Sequence, residues 1–78
     1  MNDYKPDITV DSRGAGCPGP MMDLIGKIKT AEAGAVLRLL TTERNSTEDV
    51  PEWLEKAGHE LLDIERVDDH WQIDVRKA

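Results

Sequence analysis

One stretch of the chain combines reactive residue types with a spacing that activates them: Asp11-Ser12-Arg13-Gly14-Ala15-Gly16-Cys17-Pro18-Gly19-Pro20. It puts a thiol where a glycine-rich turn gives way to a helical pattern. Met21, Leu24, Ile25, Ile28 and Ala31 recur at i, i+3, i+4, i+7 and i+10, a single apolar stripe, while Asp23, Lys27 and Thr30 fall off it. Proline is favoured at the first helical position, where its missing N–H would have no partner anyway. Cys17 therefore reads as the N-cap and Pro18 as the first helical residue. A helix start carries roughly half a positive charge and unsatisfied N–H groups. A thiolate there is favoured, and such cysteines titrate well below the free value of about 8.5. Pro18 and Pro20 supply no N–H but fix two φ angles near about −65°. The nearest donors are then Gly19 and Met21, and Gly19 leaves the sulfur uncovered by a side chain. Arg13 adds positive charge if the loop folds back.

A lone cysteine in a small domain is often just a small buried hydrophobe. Here it precedes a proline at a helix start, follows a glycine-rich turn and stands outside the apolar stripe. Being single, it forms no internal disulfide, no Cys-x-x-Cys redox centre and no multi-cysteine zinc site. His59 and His70 lie far along the chain, so no local base supports a Cys-His hydrolase. The role that suits an exposed, activated and solitary thiol is carrying a group as a thioester, mixed disulfide or persulfide. A persulfide fits best, because a second cysteine would discharge it internally.

The elements that must position this thiol follow from periodicity. Ile8-Thr9-Val10-Asp11 alternates as a short strand and Ser12 to Gly16 reads as a loop. The helix after Cys17 is expected to stop at Gly34. Val36 to Thr41 reads as a strand with Arg38 marking a solvent-facing side. Val50, Trp53, Leu54 and Ala57 form a second amphipathic stripe, with Ser46 or Thr47 as its cap, Glu48 and Asp49 at its positive end and Gly58 as its stop. Pro51 requires an irregular start there. Leu62 and Ile64 mark a third strand, Asp68-Asp69 a tight turn, and Trp71, Ile73 and Val75 a fourth strand. The order β-α-β-α-β-β, with alternating strands, predicts an α/β (α+β) two-layer sandwich: a four-stranded mixed sheet with two helices on one face.

Composition bounds the function. The 78 residues, 8.7 kDa, read as one domain over 1–78 with an ordered core at about 8–77. A chain this short has a thin core and no spare residues for a deep substrate pocket. A net charge of −6 argues against nucleic-acid binding and against a polybasic membrane surface. No signal-like or membrane-spanning apolar run is present, so a cytoplasmic location is expected. No spacing of histidines and acids reads as a metal site.

Arg13-Gly14 followed by Cys17-Pro18-x-Pro20, on a β-α-β-α-β-β frame, resembles the TusA/SirA family of sulfur-carrier proteins. The resemblance runs from about Ile8 to Lys77. It includes Thr42-Glu43, Asp49-Val50-Pro51-x-Trp53 and Gly58-His59-Glu60-Leu61. It departs at Ala15, Glu43 and Gly26, where the family usually has leucine, aspartate and often lysine. The resemblance implies a persulfide on Cys17 and no resident cofactor, with Pro18, Gly19 and Pro20 shaping the site and Arg13 and Gly14 forming its approach. It also implies partners: a cysteine desulfurase or rhodanese-type donor, and a DsrE-like or other thiol acceptor. The pathways it brings are tRNA thiolation, sulfur oxidation or cofactor synthesis. Such a protein is a sulfurtransferase-type carrier acting with partners, not a stand-alone catalyst. The competing class is a regulatory or adapter module whose thiol is incidental.

Trp53 and Trp71 are read as core, and Met21 as core through the stripe. Met22, off the stripe, is a candidate docking contact, as is Lys27 nearby. Glu48, Asp49, Glu52 and Glu55 form an acidic helix face that can steer a basic partner.

Overall fold

The β-branched and leucine-rich runs pair into one sheet, and the two apolar stripes lie across it. The computed structural model of the chain describes residues 6–14 and 19–78. The elements are β1 (Ile8–Ser12), α1 (Gly19–Thr30), β2 (Val36–Thr41), α2 (Ser46–Ala57), β3 (Glu60–Val67) and β4 (His70–Arg76). The sheet order is β1-β2-β4-β3, with β1 parallel to β2 and β4 antiparallel to both of its neighbours. The fold is the α+β two-layer sandwich with a mixed four-stranded sheet.

Strand alternation decides what meets the helices. Val10 of β1, Leu37 and Leu39 of β2, and Ile73 and Val75 of β4 form one buried cluster with Leu24 and Ile28 of α1 and Val50 and Leu54 of α2. Both helices therefore pack on the same face. Burying these side chains is the main stabilising term, at about 1.5–3 kcal/mol each.

Several boundaries differ from the sequence reading. Ser12 is the last residue of β1, not a loop residue: it pairs with Thr41 and is buried. The first helix ends at Thr30, before Gly34, and the intervening residues make a turn closed by the Ala35 N–H donating to the Glu32 carbonyl at 3.0 Å. Neither Ser46 nor Thr47 caps α2. Asn45 holds the cap position without a side-chain bond, and the Thr47 hydroxyl donates to the Arg44 carbonyl at 2.7 Å. The irregular start expected from Pro51 is present. N–H groups of Ser46, Thr47 and Glu48 bond three residues back, and Pro51 lies within the helix. Gly58 does end α2. It adopts φ 86°, and its N–H and that of His59 both reach the Leu54 carbonyl at 2.9 Å. In β3 the register shifts between Leu61 and Asp63, so Leu62 does not continue a simple alternation with Ile64. Asp68-Asp69 forms the turn, with Asp68 at φ 54°. The readings placed on 1–5 and 15–18 lie outside the described residues.

The second face of the sheet carries an ion pair. Arg38 and Asp74 are directly opposed in the β2–β4 register. The Arg38 guanidinium donates from Nε and Nη2 to the two Asp74 oxygens at 2.9 and 3.2 Å. The Asp74 side chain is 1 % exposed and that of Arg38 26 %. On the other side Asp74 is paired with Asp63 in the β3–β4 register, an arrangement that is unfavourable without a cation. Arg38→Met is therefore expected to lower unfolding free energy by about 2–3 kcal/mol, because it strips a buried carboxylate of a main counter-charge. Urea denaturation checks this, and Arg38→Met with Asp74→Leu should recover most of the loss.

Candidate functional site

Parallel pairing puts the ends of β1 and β2 side by side, and antiparallel pairing brings the start of β4 and the end of β3 to the same edge. Ser12, Thr41, Trp71 and Arg66 form one row across the sheet there. Since α1 follows β1 and α2 follows β2, both helices begin at this end. The segment holding the cysteine runs from Gly14 to Gly19 and so starts and finishes here. Cys17 and Pro18 lie outside the described residues, as do their assignments as N-cap and first helical residue. Gly19 and Pro20 are the first described residues of α1.

The approach to that segment is a tied turn. The Asp11 carboxylate accepts from the Arg13 backbone N–H at 3.2 Å, from Nε at 2.9 Å and from Nη2 at 2.8 Å. These hydrogen bonds hold the Asp11 pKa down from the usual 3.8 to about 2 and push that of Arg13 up, although both side chains are about half exposed. The fork of Arg13, the residue that would add positive charge for the thiol if the loop folds back, is closed on Asp11. The negative charge of Asp69 raises Arg13 slightly further, and His70 lowers Asp11 slightly further. Because the folded pKa is the lower one, this turn's contribution is present above about pH 3.8 and is lost as pH falls toward 2. An NMR titration of the Asp11 carboxyl is expected to show a midpoint near 2, returning toward 3.8 in Arg13→Ala.

Two further bonds fix the ends of the cysteine segment. Gly14 sits at φ 85°, a left-handed conformation that glycine adopts without strain. Its N–H donates to Thr42 Oγ1 at 2.9 Å. The Ser12 hydroxyl donates to Asp23 Oδ2 at 2.7 Å, joining the end of β1 to α1. The sequence reading assigned Ser12 and Asp23 no role. Extending the alternation Ile8, Val10, Ser12 by one step would have placed that hydroxyl on the helix-facing side.

The electrostatics of the two helix starts differ. The first turn of α2 carries Glu48 and Asp49, which answer its positive end, whereas α1 has no acidic residue in its first turn. The positive end of α1 is therefore not answered by an acidic side chain of its own described first turn.

Beside this end, Met21 of α1 and Asp49, Glu52, Trp53 and Lys56 of α2 line a groove of about 230 Å³. Lys56 donates to Glu52 at 3.3 Å. Met21 and Trp53 are only partly buried against the core, and Trp53 stacks tilted on His59 with centroids 5.5 Å apart. Trp71 is likewise not fully buried: the Arg66 guanidinium lies 5.2 Å from its ring centroid. Met22 is 57 % exposed, and Lys27 is exposed farther along α1. A larger hollow of about 470 Å³, lined by Asp7, Ile8 and Thr30 to Ala35, lies at the opposite end of the sheet. Among the described residues no group of three or more histidines or acids is arranged to hold a metal. No helix among them is long and apolar enough to cross a membrane.

A family model described as sulfurtransferase TusA matches residues 8–77. A relative from Archaeoglobus fulgidus, described as a candidate sulfur carrier protein, is 44 % identical over 70 residues, covering 90 % of this chain and 96 % of its own. The sulfur carrier protein TusA of Pseudomonas putida is 36 % identical over 62 residues, 80 % of this chain and 78 % of its own. The crystal structure of a SirA-like protein from Desulfitobacterium hafniense superposes with a TM-score of 0.78 at 23 % identity, covering 88 % of this chain and 95 % of that one. That structural likeness bears on the fold.

Proposed function

Because the chain belongs to the TusA sulfurtransferase family of sulfur carriers, we propose that it holds sulfane sulfur as a persulfide on Cys17 and passes it between protein partners. The observation that carries this reading is the junction itself. In sequence, the one cysteine of the chain falls between the tied turn that reaches Gly14 and the helical residues from Gly19, whose first turn has no acidic side chain.

The chemistry needs no resident cofactor, oxidant or metal. The Cys17 thiolate attacks the outer sulfur of a donor persulfide. A sulfur–sulfur bond forms on Cys17 as the donor's own breaks, and the electron pair leaves on the donor thiolate. An acceptor thiolate then attacks the same outer sulfur, and Cys17 departs as the thiolate. A lower thiol pKa helps both steps at neutral pH, by supplying the nucleophile in the first and the leaving group in the second. Pro18, Gly19 and Pro20 shape the site, and Arg13 and Gly14 line its approach.

A donor of the cysteine desulfurase or rhodanese type and a DsrE-like or other thiol acceptor fit this exchange, in the reducing cytoplasm where a lone thiol persists. Exposed Met22 and the Met21–Trp53 groove give such proteins an adaptable apolar landing beside the α1 start. Lys27 offers a second, charged contact. The test is to incubate the protein with a desulfurase and cysteine, or with a rhodanese and thiosulfate, and weigh the intact chain. A gain of one sulfur atom, removed by a thiol reductant, is expected; no gain from either donor overturns the proposal.

A further inference from the structure

We infer that the outer side of α1 and its border with α2 dock an amphipathic helix of a partner protein, apolar along its centre and lined with arginine or lysine where it meets α2; this names the partner class for that landing and rests on the carrier reading. The observation that carries it is Gly26. It lies in the middle of α1, exposed and with a helical backbone, so no left-handed conformation calls for a glycine there. Among the described residues, a Cβ at this position would meet no atom within 4 Å. Glycine weakens a helix interior relative to alanine. No described neighbour in this chain accounts for that loss, whereas a bare stretch of helix lets another backbone come close.

The surroundings of Gly26 are apolar. Met22 precedes it by one turn and shares its face. It is 57 % exposed, and among the described residues only Leu61 on β3 is another large apolar side chain so far out of the core. Going round α1 from the Met21–Trp53 groove, the helical repeat places half-buried Ile25, then Met22, then Gly26. At about 230 Å³ the groove falls below the roughly 300–1,000 Å³ of small-molecule pockets, so it suits a side chain of a larger partner. The α2 bank selects the charge of that partner. Glu48, Glu52 and Glu55 are exposed at i, i+4 and i+7, one stripe beyond the groove, and the one lysine of α2, Lys56, is bonded to Glu52. Lys27 and Lys29 stand in the last turn of α1, so the cationic border belongs on the α2 side. A second copy of this chain, at net charge −6, brings like charges together on this bank, whereas a basic helix complements it.

The test titrates the isotopically labelled full chain with a synthetic helical peptide, leucine along one face and arginine on its flanks, and follows the amide signals. The control peptide carries glutamate in place of arginine. The arginine peptide is expected to shift Met22, Gly26 and the Trp53 indole, and the glutamate peptide to leave them in place. Gly26→Leu, which fills the bare stretch, is expected to weaken binding about tenfold or more, and Met22→Ala about fivefold, the scale of central contacts. Gly26→Ala is expected to weaken binding while raising the urea midpoint, opposite changes that a residue serving only the fold would not show. Glu48→Gln, Glu52→Gln and Glu55→Gln together are expected to weaken binding at low salt and to remove most of its salt dependence. Equal binding of both peptides, shifts centred elsewhere, or parent-like affinity in folded Gly26→Leu overturns the inference. So does a dimer in sedimentation that Gly26→Leu dissolves, which gives the face to a second copy. The peptide carries no sulfur. A chain that binds it but gains no sulfur from either donor overturns the carrier reading alone, and one that loads sulfur but ignores the peptide overturns this inference alone.

Discussion

Cys17→Ser is expected to abolish sulfur acceptance: after incubation with either donor, the intact chain should keep its unloaded mass. A serine hydroxyl ionises far above neutral pH and is a hard, poor nucleophile toward sulfane sulfur, whereas thiol–disulfide chemistry runs through the thiolate. No second cysteine exists to take over. The change swaps one sulfur for one oxygen, so the urea midpoint is the control that separates lost chemistry from lost fold. Equal loading of parent and variant would move the cargo to another residue and remove Cys17 from the mechanism.

Ile73→Ala is expected to lower unfolding free energy by about 3–4 kcal/mol, the cost of a fully buried aliphatic side chain together with the cavity it leaves. Ile73 is fully buried on β4, opposite Leu39 on one side and Ile64 on the other. It thus joins both neighbouring strands beneath the helices. The effect is large relative to the whole, because a chain of this length has a total stability of roughly 4–12 kcal/mol. Urea denaturation followed through Trp53 and Trp71 reads it. Ile73→Val, which keeps the β-branch and removes one methyl, should cost only about 1 kcal/mol. A loss below about 1 kcal/mol for Ile73→Ala would mean that the helix layer closes over the gap and that the core is more plastic than its burial indicates.

Much of the fold was legible because its strands and helices carry clean periods. Val36 to Thr41 is read with the same limits in the structure, and Gly58 stops α2 because only a left-handed residue completes that turn. The misreadings share a cause. Ser12 is polar and stands two residues before Gly14, so local chemistry argues for a loop, yet pairing with Thr41 makes it strand. Gly34 looks like a helix stop, but the helix ends earlier and the glycine serves a later turn. At β3 a register shift of one residue overrode the alternation that Leu62 and Ile64 display. Trp53 and Trp71 stand on the apolar faces of α2 and β4, which argues for core, yet both are only partly buried. His59 lies against the Trp53 ring and the Arg66 guanidinium against that of Trp71.

By itself the sequence determined where the one thiol of the chain lies and which kind of element must follow it. Residue type, proline spacing and helical period are local properties, and they are readable from neighbours in the chain. Only the tertiary structure decided what holds that segment. The Ser12–Asp23 and Gly14–Thr42 bonds, at residues that flank it, join positions 11 and 28 apart, and the Arg38–Asp74 pair elsewhere in the sheet joins positions 36 apart. It also decided that Arg13 closes on Asp11, although these are near neighbours, because the alternative partner depended on how the loop folds. Hydrogen bonds act over about 3 Å in space, and no period in the chain records which distant side chains will come within that reach.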